Sequence, residues 1–139
     1  MKTSSSKKRI AAMMMVSVLL VWFALPNVAC AKTVTVEGRN ITATLTGSSS
    51  KATATIYYTE GSGQVVAYIT GFPHYIDNPE ILADAVHNES SNPTPGGASA
   101  SVTAPDGCSF FFISSSSHYT VYIDGTKYEG TIPDRLDFK

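Results

Sequence analysis

Beyond residue 31 the sequence has no tryptophan, no methionine and a single cysteine, Cys108. One thiol leaves no partner for an intramolecular disulfide. The fold must then be held by its core, which a domain of this size can do if it buries most of its apolar surface. Basic side chains are also scarce there. Of ten Lys and Arg, four precede residue 10, which leaves six against eleven Asp and Glu and a formal net charge of −5. That balance, without a basic run, argues against nucleic acid and anionic membranes as partners. A Ser-centred elbow, a glycine-rich phosphate loop and a calcium-loop pattern are all missing. The acidic residues mostly fall in turns or on outward positions, for example Glu60, Asp106, Asp124 and Glu129, so no carboxylate pair or His–carboxylate pair is set up for acid–base work. The expectation is a protein with no enzymatic activity and no cofactor.

What is present begins at the N-terminus. Lys2, Lys7, Lys8 and Arg9 precede an apolar run from Ile10 to Leu25, followed by Pro26 and the small-residue site Ala29-Cys30-Ala31. These are the three parts of a secretory signal peptide. The apolar run is too short for the roughly 20 residues that span a bilayer. Residues 1–31 are therefore expected to be cleaved after Ala31, leaving residues 32–139 as one secreted or cell-surface domain. Cys30 is an alternative lipidation site, although Asn27 stands where a lipoprotein box usually has a Leu-like residue. The short basic stretch suits a bacterial chain. In a glycosylating pathway the sequons at Asn40 and Asn88 would be candidate modification sites.

Within residues 32–139 apolar positions recur with period 2, in a composition rich in Thr, Val, Ile, Tyr and Phe, as strands require. Three turns in the first half, at Gly38-Arg39, Gly47–Ser50 and Glu60–Gly63, pair apolar residues with apolar ones. Each places Ile41, Ala43, Leu45, Ala52, Ala54 and Ile56 on one face. In the second half Pro105-Asp106-Gly107, Ser114–Ser117 and Asp124-Gly125 do the same for Cys108, Phe110, Phe112, Val121 and Tyr128. The expected fold is all-β: two four-stranded antiparallel meanders, residues 33–70 and 99–132, packed as a sandwich of immunoglobulin-like size. An eight-stranded up-and-down barrel is the alternative. The intervening residues 71–98 are expected to form a crossover. Asp77 or Asn78 as N-cap and Pro79 at the first position predict a helix over about 79–87, with Ile81, Leu82, Ala85 and Val86 as its apolar stripe. Ser90–Ser99 reads as a loop.

Candidate sites each have a plainer explanation. Cys108 lies inward and fits a buried small apolar side chain; an intermolecular disulfide is the competing role. The register turns His118 away from it. Asp84 and His87, one helical turn apart and joined by Asp77, could approach a metal, but ligand spacing is not motif-like, so no metal is expected. Outward positions are more distinctive: Tyr57, Tyr68, Thr53 and Thr55 on the first sheet, Phe111 and Tyr122 on the second. Rings set among hydroxyls suit glycan or protein contact. The expected function is a secreted, non-enzymatic binding or adhesion module whose partner is an extracellular protein or glycan. The alternative is a membrane-active, bacteriocin-like toxin, which would make the membrane a partner. Its expected strands of seven or eight residues fall short of the about 9 to 11 a transmembrane strand needs. A small-ligand carrier and a loop-presenting inhibitor are further possibilities.

Overall fold

A computed structural model of the chain describes residues 28–138. The basic stretch and apolar run of the expected signal peptide lie outside the described residues. Six strands follow in order: β1 (Val28–Val36), β2 (Arg39–Gly47), β3 (Lys51–Tyr75), β4 (Val86–Thr103), β5 (Cys108–Ile123) and β6 (Thr126–Asp137). All pairings are antiparallel. They form one sheet in the order β1-β2-β3-β5-β6, with β4 along the other side of β3. The fold is all-β, as expected, but it is one sheet nearly closed into a barrel, not a two-meander sandwich with a helix.

The correction originates in β3. The residues Glu60–Gly63, expected to turn the chain back, instead carry a bulge between Tyr58 and Gly63 through which the strand continues. The first part of β3 therefore pairs with β2 and the second part with β5, while β4 runs along both parts. A composition favourable to a turn loses here to a long ladder, because each further residue pair adds cross-strand contacts that a local turn cannot supply. Ser114–Ser117 likewise lie inside an unbroken β5 rather than in a hairpin loop.

No helix forms over 79–87. Asn78 O accepts from the Ile81 amide at 2.9 Å, so Pro79 occupies the second position of a β-turn, where its fixed φ is equally suitable. Val86 already opens β4. Ser90–Ser99 belong to that strand and not to a loop. Pro93 and Pro95 are tolerated because, among the described residues, β3 is the one strand paired with β4, and proline is admissible where its missing N–H faces away from the ladder. β4 itself folds back. Asn88 Nδ2 donates to Ser101 O at 3.1 Å and Asn92 Nδ2 to Gly97 O at 2.9 Å, so side-chain amides bridge a seam that no backbone ladder closes. At the other seam, where β1 nears β6, Lys32 Nζ donates to Pro133 O at 2.8 Å.

The inward positions read from the alternation hold. Ile41, Ala43, Leu45, Ala52, Ala54 and Ile56 are all buried in one cluster with Tyr58, Val65, Ile69, Phe110 and Val121. The first two hairpins are shifted by two residues from the expected register, with Val34 opposite Ile41 and Leu45 opposite Ala54. A shift of two preserves the face. The turn after Ile123 is as expected, with Val121 opposite Tyr128. The Pro105–Gly107 turn forms, with Cys108 N–H donating to Pro105 O at 2.9 Å, but β4 and β5 do not pair across it. Glu37 and Gly38 have φ of 47° and 77°, and Asp124 and Gly125 have 50° and 78°, the double positive φ of a type I′ turn. Nothing lies within 4 Å of a Cβ built on Gly125. Gly125→Ala is thus expected to cost about 1–2 kcal/mol from backbone conformation alone, read as a lower urea midpoint at unchanged slope.

One inward assignment fails. A bulge between Phe72 and Pro73 puts Phe72 opposite Phe112 and Pro73 opposite Phe110, leaving Phe111 as the extra residue. Phe110 stays buried and Ile113 takes the next inward place, so Phe112 faces outward beside Phe111. With Phe110, Tyr58 and their neighbours filling the interior, the barrel encloses a packed core, which a small-ligand carrier would have to give up.

Candidate functional site

Three of the predicted binding residues meet on one surface. Cross-strand rows on the outward side run Thr33, Thr42, Tyr57, Gly97; then Ala31, Thr44, Thr55, Ser99; then Ala29, Thr46, Thr53, Ser101. Lys51, beside Thr103, stands at one end of these rows, and at the other the Glu60 carboxylate accepts from the Asn40 amide at 2.6 Å. The period-2 alternation builds this face: each inward Ala, Ile or Leu is followed by an outward Thr or Ser, except Ile56, which is followed by Tyr57. Cross-strand hydroxyls restrain one another. Thr33 and Thr42 share a hydrogen bond at 3.0 Å, Thr53 and Ser101 one at 2.8 Å, and Thr35 donates to Asn40 Oδ1 at 2.9 Å. Tyr57 is exposed at the margin of this field, set against Gly97, where a larger side chain would meet its Cβ.

Tyr68, Phe111 and Tyr122 lie apart from that surface, on the outward side of the second part of β3 and of β5. Tyr68 is half-buried and stacks on His87, with ring centroids 6.2 Å apart. Tyr122 is exposed at the end of β5, opposite Lys127. Phe111 belongs to a cluster that the alternation missed. Phe72 stacks on Phe112 at 4.1 Å, Arg135 covers Phe112 at 3.8 Å, and Phe111 meets Phe112 edge-on at 4.7 Å. Arg135 is in turn held by Asp137 at 2.7 Å. With ring and guanidinium on it, Phe112 has little face left for a ligand; the cluster serves as cross-strand packing. The signal for it was the run Phe110-Phe111-Phe112-Ile113, which strict alternation cannot accommodate without a bulge.

A depression of about 430 Å³ between β5 and β6 is lined by His118, Tyr119, Thr120, Glu129, Gly130 and Thr131. Glu129 is engaged by Lys127 at 2.6 Å. Among the described residues no group of three His, Cys, Asp or Glu could hold a metal. Without the helix, Asp77, Asp84 and His87 share no face: Asp77 and Asp84 are in the β3–β4 connection and His87 is in β4.

Cys108 is buried and unpaired. Cys30 sits within β1 opposite Leu45, its thiol 3.7 Å from Leu45 O. Burial, then the neighbouring Asp134 carboxylate, pushes this thiol up to about 12 from an ordinary 9.0. In a chain that retains Cys30 and carries Cys108→Ala, a disulfide reagent at pH 8 is expected to label the folded protein far more slowly than the unfolded one, because thiolate is the reactive form. The proton is held more tightly in the folded state, so stability from this group is full below pH 9 and is lost as pH rises from there toward 12. Lipidation at Cys30 would require the inward thiol to turn out of β1. A chain starting at Lys32 keeps Lys32–Val36 against β2 and leaves Thr44–Gly47 without their β1 neighbours. The Asn88 side-chain nitrogen, where a glycan would attach, is the atom bridging to Ser101; Asn40 is exposed, and its side-chain oxygen is held by Thr35.

Comparison with protein-family models, with curated protein sequences and with solved structures gave no match to this chain.

Proposed function

We propose that this protein is a secreted, non-enzymatic binding module that contacts a neutral glycan through the hydroxyl face of β1, β2 and the first part of β3. The observation that carries the reading is the convergence of Thr53, Thr55 and Tyr57 on one field of Thr and Ser side chains whose charged groups, Lys51 and Glu60, stand at its two ends. A glycan offers many hydroxyls and apolar C–H faces but no charge. Threonine and serine hydroxyls can both donate and accept to such a ligand, and the Tyr57 ring supplies apolar area at low entropy cost. Cross-strand hydrogen bonds hold several of the hydroxyls in place beforehand, which limits the ordering cost on binding.

The same surface weighs against the membrane-active alternative. The strands are longer than expected, yet these outward positions present hydroxyls where a lipid-facing barrel would need an apolar band. The test is a neutral-glycan array followed by calorimetric titration. Tyr57→Ala is expected to weaken binding about tenfold, as loss of an aromatic anchor does, with the thermal midpoint unchanged. An array without a ligand sensitive to Tyr57→Ala would remove the assignment.

A further inference from the structure

We infer that the β3–β4 connection is a preformed docking finger for a protein partner with an apolar groove rimmed by Lys or Arg. Six large apolar side chains stand out as exposed among the described residues, and four of them lie in the eight residues Tyr75–Leu82: Tyr75 at 44%, Ile76 at 57%, Ile81 at 50% and Leu82 at 63%. Isolated apolar side chains on a surface are ordinary, but four of them concentrated in one short connection are the mark of an interaction site. This group is not a frayed end of the fold. The Tyr75 amide donates to Ile81 O at 3.0 Å, Ile81 to Asn78 O at 2.9 Å and Ala83 to Pro73 O at 3.0 Å, while Ile76 is tied to Gly107 O at 2.9 Å. Leu82 bridges back to His74. Because the backbone is fixed before contact, little ordering entropy would oppose binding.

Charge selects the partner. Asp77, Glu80 and Asp84 are exposed in the same connection, and Asp106 is exposed in the turn to which Ile76 is tied. From residue 52 to residue 126 there is no Lys or Arg at all. An apolar centre with an acidic rim fits a complementary basic rim, and such complementarity speeds encounter and excludes wrong partners. A second copy of the finger would bring like charges together, and an anionic lipid surface would repel it for the same reason.

The test places a photocrosslinking p-benzoylphenylalanine at Ile81 in the full chain and exposes it to the proteins of its source. Any crosslinked protein is then purified and titrated with the unmodified chain, with Leu82→Asp, and with Leu82→Ser. Support consists of a purified partner whose affinity falls about tenfold or more with Leu82→Asp, less with Leu82→Ser, and falls also as salt is raised. The proposal is overturned by the absence of any crosslinked protein, by a partner indifferent to Leu82→Asp, by crosslinks between copies of the chain, or by binding to phosphatidylcholine–phosphatidylglycerol vesicles. Thermal unfolding adds an independent check. If Leu82→Ser lowers the midpoint as a buried leucine would, the side chain belongs to the core and the inference falls. Since the finger and the hydroxyl face share no residue, Tyr57→Ala leaves this binding unchanged, so the two readings fail separately.

Discussion

Gly63→Ala is expected to unfold this protein or to bring it to the edge of unfolding. Gly63 sits at the end of the bulge that lets β3 continue, with φ at +147°, and a Cβ there would fall on the Thr120 carbonyl oxygen and against the Val121 backbone. Two costs combine. An L-residue in a sparsely populated backbone region carries about 1–3 kcal/mol of strain, and forcing atoms into a packed site typically adds another ~1–3 kcal/mol. The obstructing atoms are backbone in the paired strand β5, so they cannot rotate out of the way. Together these approach the 5–15 kcal/mol or so of total stability of a typical domain. Urea denaturation followed by far-ultraviolet circular dichroism measures the effect. A midpoint within experimental error of the parent would show that β3 and β5 are not packed this closely at the bulge.

Tyr58, five residues earlier, is the second sensitive position, and its two halves are expected to respond oppositely. The ring is fully buried and is among the largest side chains of the core. Tyr58→Ala would leave an aromatic-sized void where both parts of β3 converge, at a cost of about 3–5 kcal/mol. The hydroxyl is buried with no well-formed hydrogen bond, although the Arg39 guanidinium lies beside it. A buried polar group in that condition carries a desolvation penalty of about 1–3 kcal/mol, so Tyr58→Phe is expected to be neutral or stabilising. Comparing the two substitutions by thermal unfolding separates packing from polarity. A large loss for Tyr58→Phe would mean that the hydroxyl is hydrogen-bonded in solution.

Both positions show how much of the fold is legible in the residues. Gly61 and Gly63, flanking Ser62, read as a hairpin loop, because glycine permits positive φ and short polar residues favour turns. The same glycines serve equally well in a bulge, where one extra residue is absorbed without ending the strand. The sequence pattern of the two outcomes is the same, and the long ladders to β4 and β5 decide between them. Asn78 to Val86 present a parallel case. Pro79 begins a helix or a turn with equal ease, and Ile81 and Leu82 form a helical stripe only if a core surface is there to receive them. None is; they project from the end of the barrel.

The candidate site was legible to a similar extent. Thr53, Thr55 and Tyr57 lie together because a single period-2 run places them on one face. Phe111 was correctly read as outward, but its companions Phe72, Phe112 and Arg135 come from three strands, and no local pattern connects them. Of the six predicted binding residues, three therefore share the hydroxyl face, and Tyr68, Phe111 and Tyr122 lie apart from it and from one another.

By itself the sequence determined which side chains of the first two hairpins point inward, that the chain is all-β, and where Asp124 and Gly125 reverse it. These are local properties: a pleat alternates whatever strand lies beside it, and a double positive φ is a demand on two residues. The tertiary structure decided that β3 and β4 span the whole barrel, that Phe112 faces out, and that Ile81 and Leu82 are presented rather than buried. Those outcomes depend on partners distant in the chain. A single unpaired residue at a bulge inverts every later face, and its position is set by the strand across from it.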